Sequence, residues 1–176
     1  RNKAAIKFIY EESKRLCKFL LKEQKQSDFK SKYNEFAFFG ENSSELCIDD
    51  DLKLKIEGKI DRIDEFGEYM RIIDYKTGDI DADLYTIYYG KKIQLVSYLS
   101  AAEKIGNKKV AGLLFFPIHS DFVKIEQKIK NNYKMQGFLL DDIEIVKNMD
   151  INISFEKPES KYVPLKIKTS EKLKQI

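Results

Sequence analysis

Two short apolar runs, each ending in a carboxylate, constrain this chain more than any other feature. Gly58-Lys59-Ile60-Asp61-Arg62-Ile63-Asp64 is followed, after a turn at Phe66-Gly67, by Ile72-Ile73-Asp74-Tyr75-Lys76-Thr77-Gly78. Runs of this kind read as paired strands. Side chains alternate faces along a strand, so Asp74 and Lys76 share a face, roughly 7 Å apart. Asp61 and Asp64 have odd spacing and face opposite ways on a regular strand, which makes Asp64 the weaker site candidate. An aspartate or lysine at the end of a buried strand costs desolvation energy unless it is paired or metal-bound. Two aspartates and a lysine form the donor set that a Mg²⁺-dependent phosphodiester hydrolase needs. Hard cations take carboxylate oxygens and keep waters for chemistry, and a lysine beside them orients water or offsets phosphate charge. The competing reading is structural: Asp61 salt-bridged to an arginine, and an Asp74–Lys76 ion pair, the latter compatible with catalysis.

Downstream, Ile93–Ile105 reads as a helix closed by Gly106, with Leu95, Tyr98, Leu99 and Ala102 on one face. Gln94 and Tyr98 are one turn apart and share a face. Tyr85, Tyr88 and Tyr89 cluster before it; rings so placed stack on unpaired bases, although core packing is the default for at least two of them.

The remaining pattern is an amphipathic helix over residues 1–25, a strand over Glu35–Phe39, a single half-buried strand over Leu52–Ile63, and a central strand over Tyr69–Tyr75. A buried strand follows over Val110–Ile118, then an edge strand over Asp121–Gln127 and a short helix over Asp141–Asn148 capped by Asp141 or Asp142. Residues 150–176 are weakly patterned, either a hairpin around Pro164 or a frayed end. Periodicity alone gives α/β or α+β. The 176 residues suit one domain with a real core. With 32 basic and 29 acidic side chains, a net charge of +3 does not announce a nucleic-acid binder. No apolar run reaches the ~18 residues of a membrane span. Two distant cysteines, Cys17 and Cys47, fit a reducing, cytoplasmic compartment.

Gly58–Asp64, Asp74–Gly78 and Gln94–Tyr98 together resemble the G-x-I/V-D-R-x-D, D-Y-K-T/S-G and Q-x-x-x-Y motifs of RecB-like nucleases in the PD-(D/E)XK superfamily. Tyr88–Leu95, Val110–Phe116 and Tyr133–Asp142 are similar to segments of the AddB-type subunits of AddAB helicase–nucleases, so that the likeness runs from about Glu35 to Pro164. The resemblance implies a restriction-endonuclease-like α/β core, a mixed central sheet flanked by helices. It implies a single nuclease domain, a fragment of a longer chain, with a flanking helix at 1–25, a nuclease core at 34–150 and a lysine-rich extension at 151–176. It also implies a site in which Asp61, Asp74 and the Tyr75 carbonyl hold Mg²⁺ or Mn²⁺, Lys76 serves the attacking water, and Gln94 and Tyr98 fix the strand. The implied activity is a metal-dependent DNA exonuclease acting on single-stranded DNA in double-strand-break repair, with an AddA-like helicase–nuclease subunit as partner. The alternatives are a non-catalytic DNA-binding or docking module and a stand-alone RecB-like exonuclease. The family's usual histidine helix has no counterpart, since His119 follows the motifs. The four cysteines expected around an iron–sulfur cluster in the full-length family are also missing from this chain. Because the chain begins at Arg1, an internal fragment lacking those flanks is the expectation.

Overall fold

A computed structural model describes residues 2–47, 49, 52–80, 82–83, 85, 89, 93–105, 107–118 and 133–167. Helix α1 (Asn2–Lys25) ends with Lys22 and Lys25 in its last turn, where cations suit the negative end of the helix dipole. Leu16, Phe19 and Leu20 pack on the core, whereas Ile6, Ile9 and Tyr10 are exposed. The strands β1 (Lys30–Phe38), β2 (Ser44–Cys47), β3 (Lys53–Ile56), β4 (Gly58–Phe66) and β5 (Tyr69–Lys76) follow, then helix α2 (Ile93–Glu103). The chain continues through β6 (Lys109–Pro117), β7 (Gln136–Leu139) and the one-turn helix α3 (Ile143–Val146), which Asp142 caps by accepting the Glu144 N–H.

Among the described residues, five strands form one mixed sheet in the order β1-β4-β5-β6-β7. β5 and β6 are parallel and every other neighbouring pair is antiparallel. A parallel pair needs a crossover, and α2 lies on that crossover. Each face of the sheet buries its own cluster. On one face Ile73, Leu114, Phe116 and Met135 meet Phe29, Phe19 and the 162–165 segment. On the other, Ile63, Ile72, Leu113 and Phe115 meet Leu95, Tyr98, Ala101 and Ala102 of α2. Two covered faces account for the near-continuous apolar character of β5 and β6. Full burial of one such aliphatic or aromatic side chain contributes about 1.5–3 kcal/mol.

The structure corrects two readings of the sequence and decides between the alternatives of a third. The single strand expected over Leu52–Ile63 is broken at Glu57: β3 pairs with β2 in a separate two-stranded sheet, and only from Gly58 does the chain join the main sheet. Leu52 and Leu54 are consequently exposed, because that hairpin lends them no covering layer. Glu57 accepts the Gly40 N–H at 2.9 Å, which ties the crossing point to the end of β1. Gly58 is dictated by packing, since an added Cβ would lie 2.8 Å from the Phe38 ring. Second, the weakly patterned end is not frayed through 167. Tyr162, Val163 and Leu165 are buried, and a Glu159–Lys166 bridge closes a turn around Pro164. Third, Tyr85 and Tyr89 are mostly exposed and do not pack in the core. Gly106, Tyr88, His119 and the strand expected over Asp121–Gln127 lie outside the described residues.

Candidate active site

β5 delivers Asp74 and Lys76 to the α2 face of the sheet, while Tyr75 points to the other face and its ring packs on Phe116 at 5.6 Å. The helical spacing of Gln94 and Tyr98 carries both to the same spot. Tyr98 Oη donates to Asp74 Oδ1 (3.0 Å) or the Lys59 carbonyl (3.1 Å), and accepts from Gln94 Nε2 (2.7 Å). Gln94 Nε2 also lies 3.4 Å from Asp74 Oδ1, and Gln94 Oε1 accepts from Lys76 Nζ at 3.1 Å. Burial, and then the charge of Asp74, push the Tyr98 hydroxyl well above the usual tyrosine range. The phenol therefore stays protonated and acts as a donor to the carboxylate.

Asp74 is buried. Its Oδ2 lies 2.7 Å from Lys76 Nζ yet has no aligned hydrogen bond. Asp61 reaches in from β4. The β4–β5 ladder ends at Arg62↔Ile73, and beyond it Asp61 Oδ2 accepts the Tyr75 N–H at 2.8 Å. The Asp61 charge is also felt at the Tyr98 hydroxyl and raises its pKa further.

Asp64 lies on the opposite face, in a buried ion quartet with Glu23, Arg62 and Arg71. Arg62 donates to Asp64 through Nε (2.7 Å) and Nη2 (2.6 Å), and Arg71 does so through Nε (2.9 Å) and Nη2 (2.7 Å). Glu23 of α1 accepts from Nη2 of both arginines. Burial opposes the charge on Arg62, but Asp64 and Glu23 override it and raise its pKa. The arginine expected as the partner of Asp61 is thus engaged elsewhere. This quartet escaped the sequence reading, because a glutamate in a lysine-rich helix gives no sign of being buried. Glu35 forms an exposed ion pair with Lys59 at 3.1 Å. A Cβ at Gly78 would meet no protein atom within 4 Å.

The model of the PD-(D/E)XK nuclease superfamily matches residues 3–175. The chain belongs to that superfamily. Three relatives of this PD-(D/E)XK chain are each described as the B subunit of an ATP-dependent helicase/deoxyribonuclease. The one from Ruminiclostridium cellulolyticum is 37% identical over 125 residues, 60% of this chain and 11% of the relative. That from Bacillus cereus is 34% identical over 131 residues, 62% and 11%. That from Oceanobacillus iheyensis is 32% identical over 174 residues, 85% and 15%. The chain therefore matches about a tenth to a seventh of the length of these curated relatives.

PD-(D/E)XK nucleases generally use divalent metal ions. The residues present fit one: Asp74 Oδ2 is a buried carboxylate oxygen without an aligned hydrogen bond, and Asp61, which accepts the Tyr75 N–H from the neighbouring strand, is a second hard donor. Among the described residues no three His, Cys, Asp or Glu side chains converge on a metal position. Two carboxylates nevertheless suit Mg²⁺, which is typically held by one or two and keeps its waters.

Proposed function

We propose that this chain is the deoxyribonuclease domain of an AddB-type helicase–nuclease subunit, hydrolysing phosphodiester bonds of single-stranded DNA at ends being processed for recombinational repair. The observation that carries this reading is the convergence of Asp74, Lys76, Gln94 and Tyr98 into one hydrogen-bonded set, with Asp61 facing it from the next strand. In this reading Asp61, Asp74 and the Tyr75 carbonyl hold Mg²⁺ or Mn²⁺. A bound divalent ion supplies a water of lowered pKa and stabilises charge on the phosphoryl oxygens.

The protein's own part is placement. Tyr98 and Gln94 engage Asp74 through Oδ1, so that Oδ2 is left with the Lys76 ammonium beside it and no aligned hydrogen bond. Lys76 is held between Asp74 and Gln94, over the Phe115 ring at 5.7 Å, so its ammonium stands ready for the scissile phosphate or the attacking water. An AddA-like partner that feeds the strand, and a cytoplasmic setting, belong to the same proposal. No helix among the described residues is long and apolar enough to cross a membrane.

The test is cleavage of end-labelled single-stranded DNA with Mg²⁺ or Mn²⁺ by the chain and by its Asp74→Ala variant. Activity lost both in the variant and with chelator supports the proposal. Activity that survives the substitution refutes the site. Inactivity of both, with DNA still bound, favours the non-catalytic module instead.

A further inference from the structure

The sheet register extends the candidate site sideways. Asp74 pairs with Phe115 of β6, and Phe115 pairs with Gln136 of β7, so the three lie on one row across the sheet. Paired residues share a face, which puts Gln136 on the same face as Asp74, two strand spacings or roughly 10 Å away. Lys134 precedes β7 and lines the same cavity as Gln136. That cavity, of about 450 Å³, is lined by Lys134, Gln136, Lys166, Pro164 and Ala82 among others. Ala82, in the segment leaving β5, also packs against the cluster on the α2 face, so the cavity reaches the face that carries Asp74.

Two lysines here are held by one acid. Lys134 Nζ lies 2.9 Å and Lys166 Nζ 3.8 Å from the Glu159 carboxylate. The turn that carries Glu159 and Lys166 is fixed by Ser160 N–H to the Leu165 carbonyl (3.0 Å) and Ile167 N–H to the Pro158 carbonyl (2.8 Å). The Met135 N–H, on the Tyr162 carbonyl at 2.8 Å, anchors that turn to the start of β7. The hydrogen bond from Lys134, with the charges of Lys134 and Lys166, lowers the Glu159 pKa and keeps the carboxylate ionised. The lysines and the acid are thus preset in position beside the cavity. Exposed ion pairs are weak, so a phosphate can displace the glutamate from either lysine at little cost.

We infer that Lys134, Lys166 and Gln136 form a backbone-phosphate subsite for the single strand whose scissile bond lies at Asp74, with Glu159 as the competing anion. This rests on the nuclease reading above and adds the path of the strand: along the β5–β6–β7 end of the sheet rather than over β1.

The experiment is fluorescence anisotropy of a labelled oligothymidylate in EDTA, which prevents cleavage, over a salt series. The proteins are the unmodified chain, the Lys134→Ala/Lys166→Ala variant and Glu159→Gln. Each phosphate contact contributes about 0.7 to the slope of log affinity against log salt. The double variant should bind on the order of tenfold more weakly at low salt, with a slope shallower by about 1.4. Glu159→Gln should bind more tightly than the unmodified chain. If the bridge only pins the turn, both variants weaken binding or neither changes it, and the subsite falls. Binding and cleavage by the unmodified chain, with an unchanged slope in the double variant, overturn the subsite alone. Failure of the unmodified chain to bind overturns the subsite together with the nuclease reading.

Discussion

Replacing Asp64 by asparagine keeps the side chain's shape and removes its charge. In the quartet two guanidiniums meet two carboxylates, so the cluster is formally neutral. Glu23, Asp64 and Arg71 have fully buried side chains, and that of Arg62 is only 5% exposed. The substitution would leave two arginines sharing Glu23, with one uncompensated positive charge in the interior. Four guanidinium hydrogen bonds to Asp64 would be weakened or lost. Removing one partner of a buried ion pair costs about 3–5 kcal/mol. At this chain length each kcal/mol shifts the melting temperature by about 2–4 °C, so a drop of roughly 6–20 °C is expected. Urea unfolding and thermal circular dichroism measure it. The double variant Asp64→Leu/Arg71→Met restores charge balance, because Arg62 and Glu23 remain as a pair. It also removes the buried Arg71 Nη1, which has no hydrogen-bond partner. Its loss of stability should therefore fall short of the sum of the single losses by at least about 1 kcal/mol. A cost below about 1 kcal/mol for Asp64→Asn, or strict additivity, would refute the view that charge balance holds the quartet together.

Tyr98→Phe removes the hydroxyl that donates to Asp74. A hydrogen bond to a charged group contributes about 1.5–3 kcal/mol to stability, so the melting temperature should drop by roughly 3–12 °C, and DNA cleavage should fall with it. Gly137→Ala should lose at least about 2 kcal/mol in denaturant titration, because the glycine has φ +137° and its Cβ would lie 2.2 Å from the Leu113 carbonyl oxygen. Burial lifts the Tyr133 hydroxyl to about 12, with a further rise from Glu12, and Tyr98 is lifted in the same direction. A raised folded-state pKa gives stability that is whole below the unfolded value near 10 and is lost as pH climbs through the folded value. Unfolding midpoints should accordingly hold steady up to about pH 10 and then decline through about pH 12, and a flat profile over that window would contradict it.

The motifs were legible because each rests on a local period. Asp74 and Lys76 share a face by the two-residue strand repeat, Gln94 and Tyr98 by the helical turn, and hydrophobic runs marked β5 and β6. What lay hidden depends on distant parts of the chain. Glu23 meets arginines 39 and 48 residues away, and no local pattern sets it apart from Glu11 and Glu12 on the same helix. The break at Glu57 is hidden inside an unbroken alternation, since β3 and β4 have compatible periods and differ only in their partners. β7 is four residues long with Gly137 inside it, and its pairing with β6 sustains it where propensity does not. Tyr162, Val163 and Leu165 are buried outside any helix or strand, so no periodicity betrays them.

The hydrogen bond from the Tyr75 amide to Asp61 makes the site readable without substrate. In an ordinary ladder that amide would report only on strand pairing. Here its resonance and its hydrogen-exchange rate follow one side-chain carboxylate, so a ¹⁵N spectrum of this chain carries a built-in indicator. Any cation or proton that draws Asp61 away from β5 should move one backbone signal, at Tyr75, before any bond is cut.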